Sequence, residues 1–340
     1  MTWLRDLMAA DALEGVFPGF RTPLVAGFIS FLVVLISTPF AMKLAHKYGA
    51  VDDPTRDERR VHTKITPRWG GLPVWLGIVI ACGVVLPFAY PEVPFANYVI
   101  GLLIASFVIL VMGMIDDVVQ LSAKVQLTVM LIAGVAVQFL YSDVGRVQVS
   151  GVNLGGNWIN FGIWAVPLTA IYIFVVTKTM DTIDGIDGLS SGIAAISAGT
   201  IAVIGSIEGQ PRISLIAMAI AGACLGFLRY NYNPAKVFLG GGAPVIGFLL
   251  GSLSVVGAMK TAATLALLIP IFIFGIPLFD AGFVVIRRIL SRSPITSPDK
   301  RHVHHTLLKY GFTQKQAVWI LYLVAITLSG IILYLVRMND

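Results

Sequence analysis

Long apolar runs separated by short polar breaks repeat along the whole chain. A membrane-crossing helix needs about 20 mostly apolar residues. Ten runs approach that length, at roughly 24–45, 71–89, 97–115, 125–141, 162–180, 190–206, 212–229, 243–259, 261–286 and 316–336. The stretch 243–286 is too long for one span, and Lys260 marks the break within it. Between the fourth and fifth runs, YSDVGRVQVSGVNLGGNWIN (142–161) alternates and is rich in Gly and Asn, which predicts a small β-hairpin outside the bilayer. The pattern predicts an all-α integral membrane protein of about ten transmembrane helices, with residues 1–340 forming one polytopic domain.

Composition agrees. The chain is 57% hydrophobic and 12% charged, against about 25% charged in soluble domains, and its mean hydropathy is +0.86. Cys82 and Cys224 both sit in apolar runs, which argues against a disulfide framework. The opening MTWLRDLMAADALEG lacks the charged-then-apolar pattern of a cleavable signal. A net charge of +6 would suit nucleic acid in a soluble protein. In a membrane protein it marks the cytoplasmic loops instead, and no nucleic-acid partner is expected. The segments 43–70, 116–125, 178–189, 229–242 and 287–315 carry 18 of the 24 Lys and Arg. That bias places them in the cytoplasm, and ten spans then leave both termini outside.

Every unusual polar cluster falls on that side. A charge in a membrane segment costs about 2.5–3.5 kcal/mol on insertion scales, so such residues are paired or functional. In GMIDDVVQLSAKVQL, Asp116 and Asp117 end an apolar span. Adjacent hard oxygen ligands suit Mg²⁺, which takes one or two carboxylates plus substrate phosphates. A solvated helix end accounts for the pair equally well from this stretch alone, and Lys124 would offset its charge or bind phosphate. In MDTIDGIDGLSSG, Asp181, Asp184 and Asp187 recur every three residues, so a helical turn would align Asp184 with Asp187. The stretch lacks the twelfth-position Glu of a calcium loop. RYNYNPAK supplies Asn231, Asn233 and Lys236. SPDKRHVHHTLLKYG supplies His302, His304 and His305. Three histidines suit zinc, but the adjacent Lys300 and Arg301 repel a cation and favour phosphates. Clusters from five loops at one face imply one composite site, with carboxylates and cations arranged for phosphoryl transfer. A transporter would place its charges near the bilayer midplane; here they sit at one rim.

Taken together these stretches resemble the polyprenyl-phosphate N-acetylhexosamine-1-phosphate transferases, glycosyltransferase family 4, over about residues 45–315. RRVHTKITPRWGG is similar to the family's first cytoplasmic motif, IDDVVQLSAK to its Asp-Asp motif and DTIDGIDGL to its Asn-x-x-Asp-Gly-x-Asp-Gly motif. RYNYNPAKVFLG resembles its Asn-x-x-Pro-Ala segment and SPDKRHVHHTLLKYG its histidine motif. The His-x-His-His form resembles the bacterial GlcNAc-type branch; the alternative is the phospho-MurNAc-pentapeptide branch, which carries three consecutive histidines. The resemblance implies transfer of a sugar-1-phosphate, GlcNAc-1-phosphate in that branch, from a UDP-sugar such as UDP-GlcNAc to undecaprenyl phosphate. UMP is released in this first membrane step of cell-envelope glycan synthesis. It implies a multi-pass protein of the bacterial inner membrane and a homodimer. The loops 46–70, 116–125, 180–189, 230–242 and 287–315 would form a cytoplasmic active site.

By the same resemblance Asp116 and Asp117 are catalytic and hold Mg²⁺, with Mn²⁺ as the alternative ion. Direct attack by the lipid phosphate and a covalent enzyme intermediate both remain open. Asp184 and Asp187 correspond to nucleotide-sugar carboxylates, and Asn231 to a polar residue near metal and nucleotide. His302, His304 and His305 correspond to the diphosphate or sugar site. Lys124, Arg60, His62 and Arg68 are further phosphate or nucleotide candidates. The chain departs from the family twice. Where the family has Phe-Leu/Met-Gly followed by a metal-binding Asp, this chain reads VFLGGGAPVIG, with no carboxylate. Asp181 stands where the family has Asn, and is expected to supply the missing charge to the metal. A catalytically weakened relative that still binds nucleotide-sugar or lipid phosphate is the competing expectation.

Overall fold

The computed structural model describes residues 20–54, 65–154, 157–257 and 303–338. Nine of the ten predicted spans coincide with described helices, and the run 261–286 lies outside the described residues. The helices are α1 (Arg21–Tyr48), α2 (Gly71–Ala89), α3 (Asn97–Val119), α4 (Ala123–Ala136), α5 (Ala165–Ile183), α6 (Leu189–Ile207), α7 (Pro211–Asn231), α8 (Gly242–Gly257), the short α9 (Val303–Lys309) and α10 (Gln314–Met338). Seven of them are long and apolar enough to cross a membrane, α5 counted with its preceding turn.

One predicted span is shorter than expected. α4 has 14 residues and ends in a single 3₁₀ turn, Val137–Phe139. α8 is described over 16 residues, up to the edge of the described segment, and matches the predicted run as far as that segment extends. Its side chains from Ala243 to Val256 are buried against neighbouring helices, and a helix that is apolar all round belongs inside a bundle. α8 packs on α5, α3 and α6, and α1 packs on α7 and α2. The α1–α7 contact is made by glycines. A Cβ on Gly222 would lie 1.9 Å from the Gly27 carbonyl oxygen, and one on Gly226 2.7 Å from that of Phe31. In lipid, where apolar side chains gain little by leaving the solvent, such close backbone approach is what drives helices together.

The expected hairpin is present. β3 (Gly151–Leu154) pairs antiparallel with β4 (Asn157–Asn160), Gly151 opposite Asn160. A second ladder was not anticipated: β1 (Val51–Asp52) pairs with β2 (Thr66–Pro67). It draws together the ends of the loop between α1 and α2. The chain alternates direction from α1 to α8. The C-termini of α1, α3, α5 and α7 therefore meet the N-termini of α2, α4, α6 and α8 at one end of the bundle, opposite the β3–β4 hairpin.

Candidate active site where the helix ends meet

The site is built on a backbone splice between two loops far apart in sequence. The stretch TPRWGG (66–71) bonds on one side to the end of α1, Arg68 N–H to the Ala50 carbonyl at 2.9 Å. On the other side it bonds to VFLGGG (237–242). Phe238 N–H donates to the Pro67 carbonyl at 2.8 Å, and Gly70 and Gly71 N–H donate to the Phe238 and Leu239 carbonyls, each at 3.0 Å. Trp69 Nε1–H donates to the Met114 carbonyl at 3.2 Å, tying the splice to the last turns of α3. Glycine makes the joint possible. A Cβ on Gly241 would stand 2.4 Å from Gly113 backbone carbons, and one on Gly242 2.2 Å from Gly71 Cα. Gly240 has φ +56° and faces the Arg68 carbonyl and the Asp117 carboxylate. No side chain, and so no carboxylate, fits at 240–242 in this packing.

Over this splice lies a polar cavity of about 30 Å³, room for an ion or one or two waters. Its lining includes Asp116, Asp117, Asp181, Arg68, Gln126 and Gly241. Asp117 is buried, its side chain 3% exposed. It accepts from Arg68 Nε at 3.0 Å and from Gly241 N–H at 3.1 Å. Asp116 is held by neutral donors, with Oδ1 accepting from Leu121 N–H at 2.7 Å and Gln126 Nε2 at 3.0 Å. Leu121 reaches it because α3 ends on Gln120 at φ 54°. This left-handed turn costs a non-glycine residue about 1–3 kcal/mol and is the kind of strain kept at functional sites. Asp181 Oδ2 accepts from Lys178 Nζ at 2.6 Å.

Asp184 stands at the C-terminal end of α5. Burial pushes its carboxyl up to about 7; Asp181 and Asp117 push the same way, while Arg68 and the Gly240 N–H oppose. A cation bound beside it would reverse that shift. Asp187 is not among the cavity's lining residues. Its Oδ2 accepts from Asn233 Nδ2 and Ala235 N–H, each at 2.9 Å. Asn231 is 2% exposed. Its carbonyl accepts from Gly188 N–H and Ser191 Oγ, and its amide donates to the Val237 carbonyl. Thus DTIDGIDGL and RYNYNPAK are joined, as a composite site requires, and Asn231 serves as the joint. Lys124 sits exposed on the first turn of α4, outside the cavity lining. His304 and His305 fall on α9; their side chains, like the whole of His302, Arg60 and His62, lie outside the described residues.

The donor chemistry suits a hard divalent cation. Among the described residues no three Asp, Glu, His or Cys side chains converge as a ready metal cage. The arrangement fits an ion held by one or two carboxylates and completed by phosphate oxygens, the habit of Mg²⁺. On the outer face of α3, across the helix from Gly113 and Asp117, an apolar groove of about 430 Å³ is lined by Tyr48, Trp69, Val111, Met114, Ile115, Val118 and Val119. Two residues that sequence reasoning passed over belong to the network: Gln126, and Lys178, whose ammonium lies 3.5 Å from Gln126 Oε1. The available signal was a lone lysine three residues before Asp181 at the end of an uncharged run.

A bundle of membrane helices with a carboxylate-lined cavity where their ends meet defines a multi-pass membrane protein with a polar site at its rim. The sequence profile of glycosyl transferase family 4 matches residues 99–258, which span the Asp pair, the Asp181–Asp187 stretch and the glycine run. Over 306 residues the chain is 38% identical to a Bacillus subtilis (strain 168) protein named "Probable undecaprenyl-phosphate N-acetylglucosaminyl 1-phosphate transferase", covering 90% of this chain and 82% of the relative. It is 30% identical over 332 residues to the decaprenyl-phosphate N-acetylglucosaminephosphotransferase of Mycolicibacterium smegmatis, covering 88% and 78%. It is 28% identical over 308 residues to the undecaprenyl-phosphate alpha-N-acetylglucosaminyl 1-phosphate transferase of Escherichia coli K12, covering 88% and 80%. The chain belongs to glycosyl transferase family 4.

Proposed function

We propose that this protein transfers GlcNAc-1-phosphate from UDP-GlcNAc to undecaprenyl phosphate on the cytoplasmic face of a bacterial inner membrane. A phosphate oxygen of the lipid attacks the β-phosphorus of the nucleotide sugar. The bond from that phosphorus to the bridging oxygen breaks, and UMP leaves with the oxygen and the electron pair. The product is a lipid diphospho-sugar. The reading rests above all on one observation. Asp116, Asp117 and Asp181 share a small polar cavity where the helix ends meet, so a cation held there by carboxylates would meet the phosphates of both substrates at the rim of the bundle. The names of the relatives supply the identity of the substrates.

In this reading Asp116, with Asp117 and Asp181 beside it, holds Mg²⁺. The ion, when bound, screens the diphosphate and stabilises charge on the leaving phosphate. Arg68 and Gly241 fix Asp117, and Gln126 aims Asp116. Asp184 lies toward the nucleotide sugar, with the histidine segment 302–305 completing that side. The glycine run favours a second reading. With no room for a carboxylate at 240–242, a relative that binds substrates but turns over slowly would look the same. UMP release from UDP-GlcNAc and undecaprenyl phosphate, with and without Mg²⁺, separates them. The proposal expects Mg²⁺-dependent release that Asp116→Asn lowers by ~10²-fold or more. Binding of UDP-GlcNAc without release supports the second reading, and no binding of either substrate overturns both.

A further inference from the structure

The three carboxylates of the cavity are not equivalent. Asp117 is matched by Arg68 and Asp181 by Lys178, while Asp116 is held by a backbone N–H and an amide, both neutral. A polarised chain runs between the two ends of the site. The Lys178 ammonium bonds Asp181 Oδ2 at 2.6 Å and lies at a longer 3.5 Å from Gln126 Oε1, and Gln126 Nε2 donates to Asp116 Oδ1 at 3.0 Å. The ammonium draws the amide oxygen and Asp116 draws the amide nitrogen, so each contact orients the next. Lys178 and Asp181 lie three residues apart on α5, on one helix face.

We propose that Lys178 is a positioning residue for the transfer reaction, acting as a resident cation that withholds Asp181 from the metal and turns Gln126 so that Asp116 presents a single cation site. This rests on the proposed transferase reading, but its first consequence is independent of turnover. Without Lys178 an uncompensated carboxylate borders the cavity. A divalent ion would then bind more tightly, with Asp181 competing with Asp116 to hold it. Asp181 is thus kept neutralised by its own helix, which revises the expectation that it stands in directly for the carboxylate absent from the glycine run.

The test uses the full chain purified in detergent. Mn²⁺ binding is followed by the paramagnetic signal of the free ion, alongside the kinetics of UMP release. Lys178→Met is expected to tighten Mn²⁺ binding about tenfold, with kcat reduced about tenfold or more and KM for UDP-GlcNAc changed less than about threefold. Lys178→Arg should keep the parent's Mn²⁺ affinity. Lys178→Met combined with Asp181→Asn should return that affinity to within about threefold of the parent and recover part of kcat. A merely structural lysine would lower activity with no change in ion affinity and no rescue. Unchanged Mn²⁺ affinity in Lys178→Met, equal affinities in the single and double variants, or no Mn²⁺ binding by the parent overturns the proposal. If the parent binds Mn²⁺ but releases no UMP, the transferase reading fails while the ion titrations still decide the role of Lys178.

Discussion

Replacing Gly241 with alanine tests the splice on which the site is built. The added methyl would stand 2.4 Å from the Gly113 Cα and carbonyl carbon. Carbon contacts settle near 3.5 Å, so the two segments must part by about 1 Å. Both sides of the contact are backbone, and neither can swing aside. Gly113 lies one turn before Asp117 on α3, so the parting pulls on the 3.1 Å bond from Gly241 N–H to Asp117. Overpacking of this kind costs about 1–3 kcal/mol, and a lost hydrogen bond to a charged group about 1.5–3 kcal/mol. The assay is thermal denaturation of the purified protein in detergent, paired with UMP release. Gly241→Ala should unfold several degrees below the parent and lose most activity. Gly83→Ala is the control, because it sits in α2 with nothing within 4 Å and should be neutral or stabilising by up to about 1 kcal/mol. If Gly241→Ala matches both the parent and the control in heat stability, the close approach does not hold the splice together.

Two further outcomes follow from individual partners. Asn231→Ala should destabilise by about 2–4 kcal/mol, since it strands the Gly188 N–H, the Ser191 hydroxyl and the Val237 carbonyl in the interior; detergent melting curves would register the loss even without substrate, and a parent-like curve would contradict the joint role. Arg68→Ala leaves Asp117 buried without its cation, a loss of about 2–4 kcal/mol given that Arg68 is partly exposed, and Arg68→Lys should recover only part of it because the Nε contact is lost; equal stability of Arg68→Ala and parent would show that Asp117 has another counter-charge.

The membrane architecture was legible because a run of about 20 apolar residues is the length a helix needs to cross the hydrocarbon core. That logic could not foresee that α8 is buried on all sides, because an apolar run reads the same whether it faces lipid or lies within the bundle. The β1–β2 ladder is two residues long, below the reach of any periodicity. The Asp pair, Asp181 and Asp184 were found from their incongruity in an apolar chain, and the structure brings them to one region. The splice between 66–71 and 238–242 was invisible, because backbone groups and missing side chains carry it. The glycine run read as a lost carboxylate; its packing shows backbone occupying that space. Asn231 stood out as a polar group near the site, and only its three bonds reveal it as the joint between two loops. Lys178 and Gln126 escaped notice because their importance lies in which neighbours they touch across 52 residues of sequence.

The central claim is that phosphoryl transfer occurs in the cavity bordered by Asp116. The most direct measurement follows the β-phosphate of UDP-GlcNAc, labelled with ³²P, in membranes holding undecaprenyl phosphate and Mg²⁺. The account predicts that the label moves into the lipid fraction with one GlcNAc per phosphate, that the released UMP carries none, and that Asp116→Asn stops the movement while the protein remains folded. Label left in the aqueous phase by the parent, or unchanged transfer by Asp116→Asn, would contradict it.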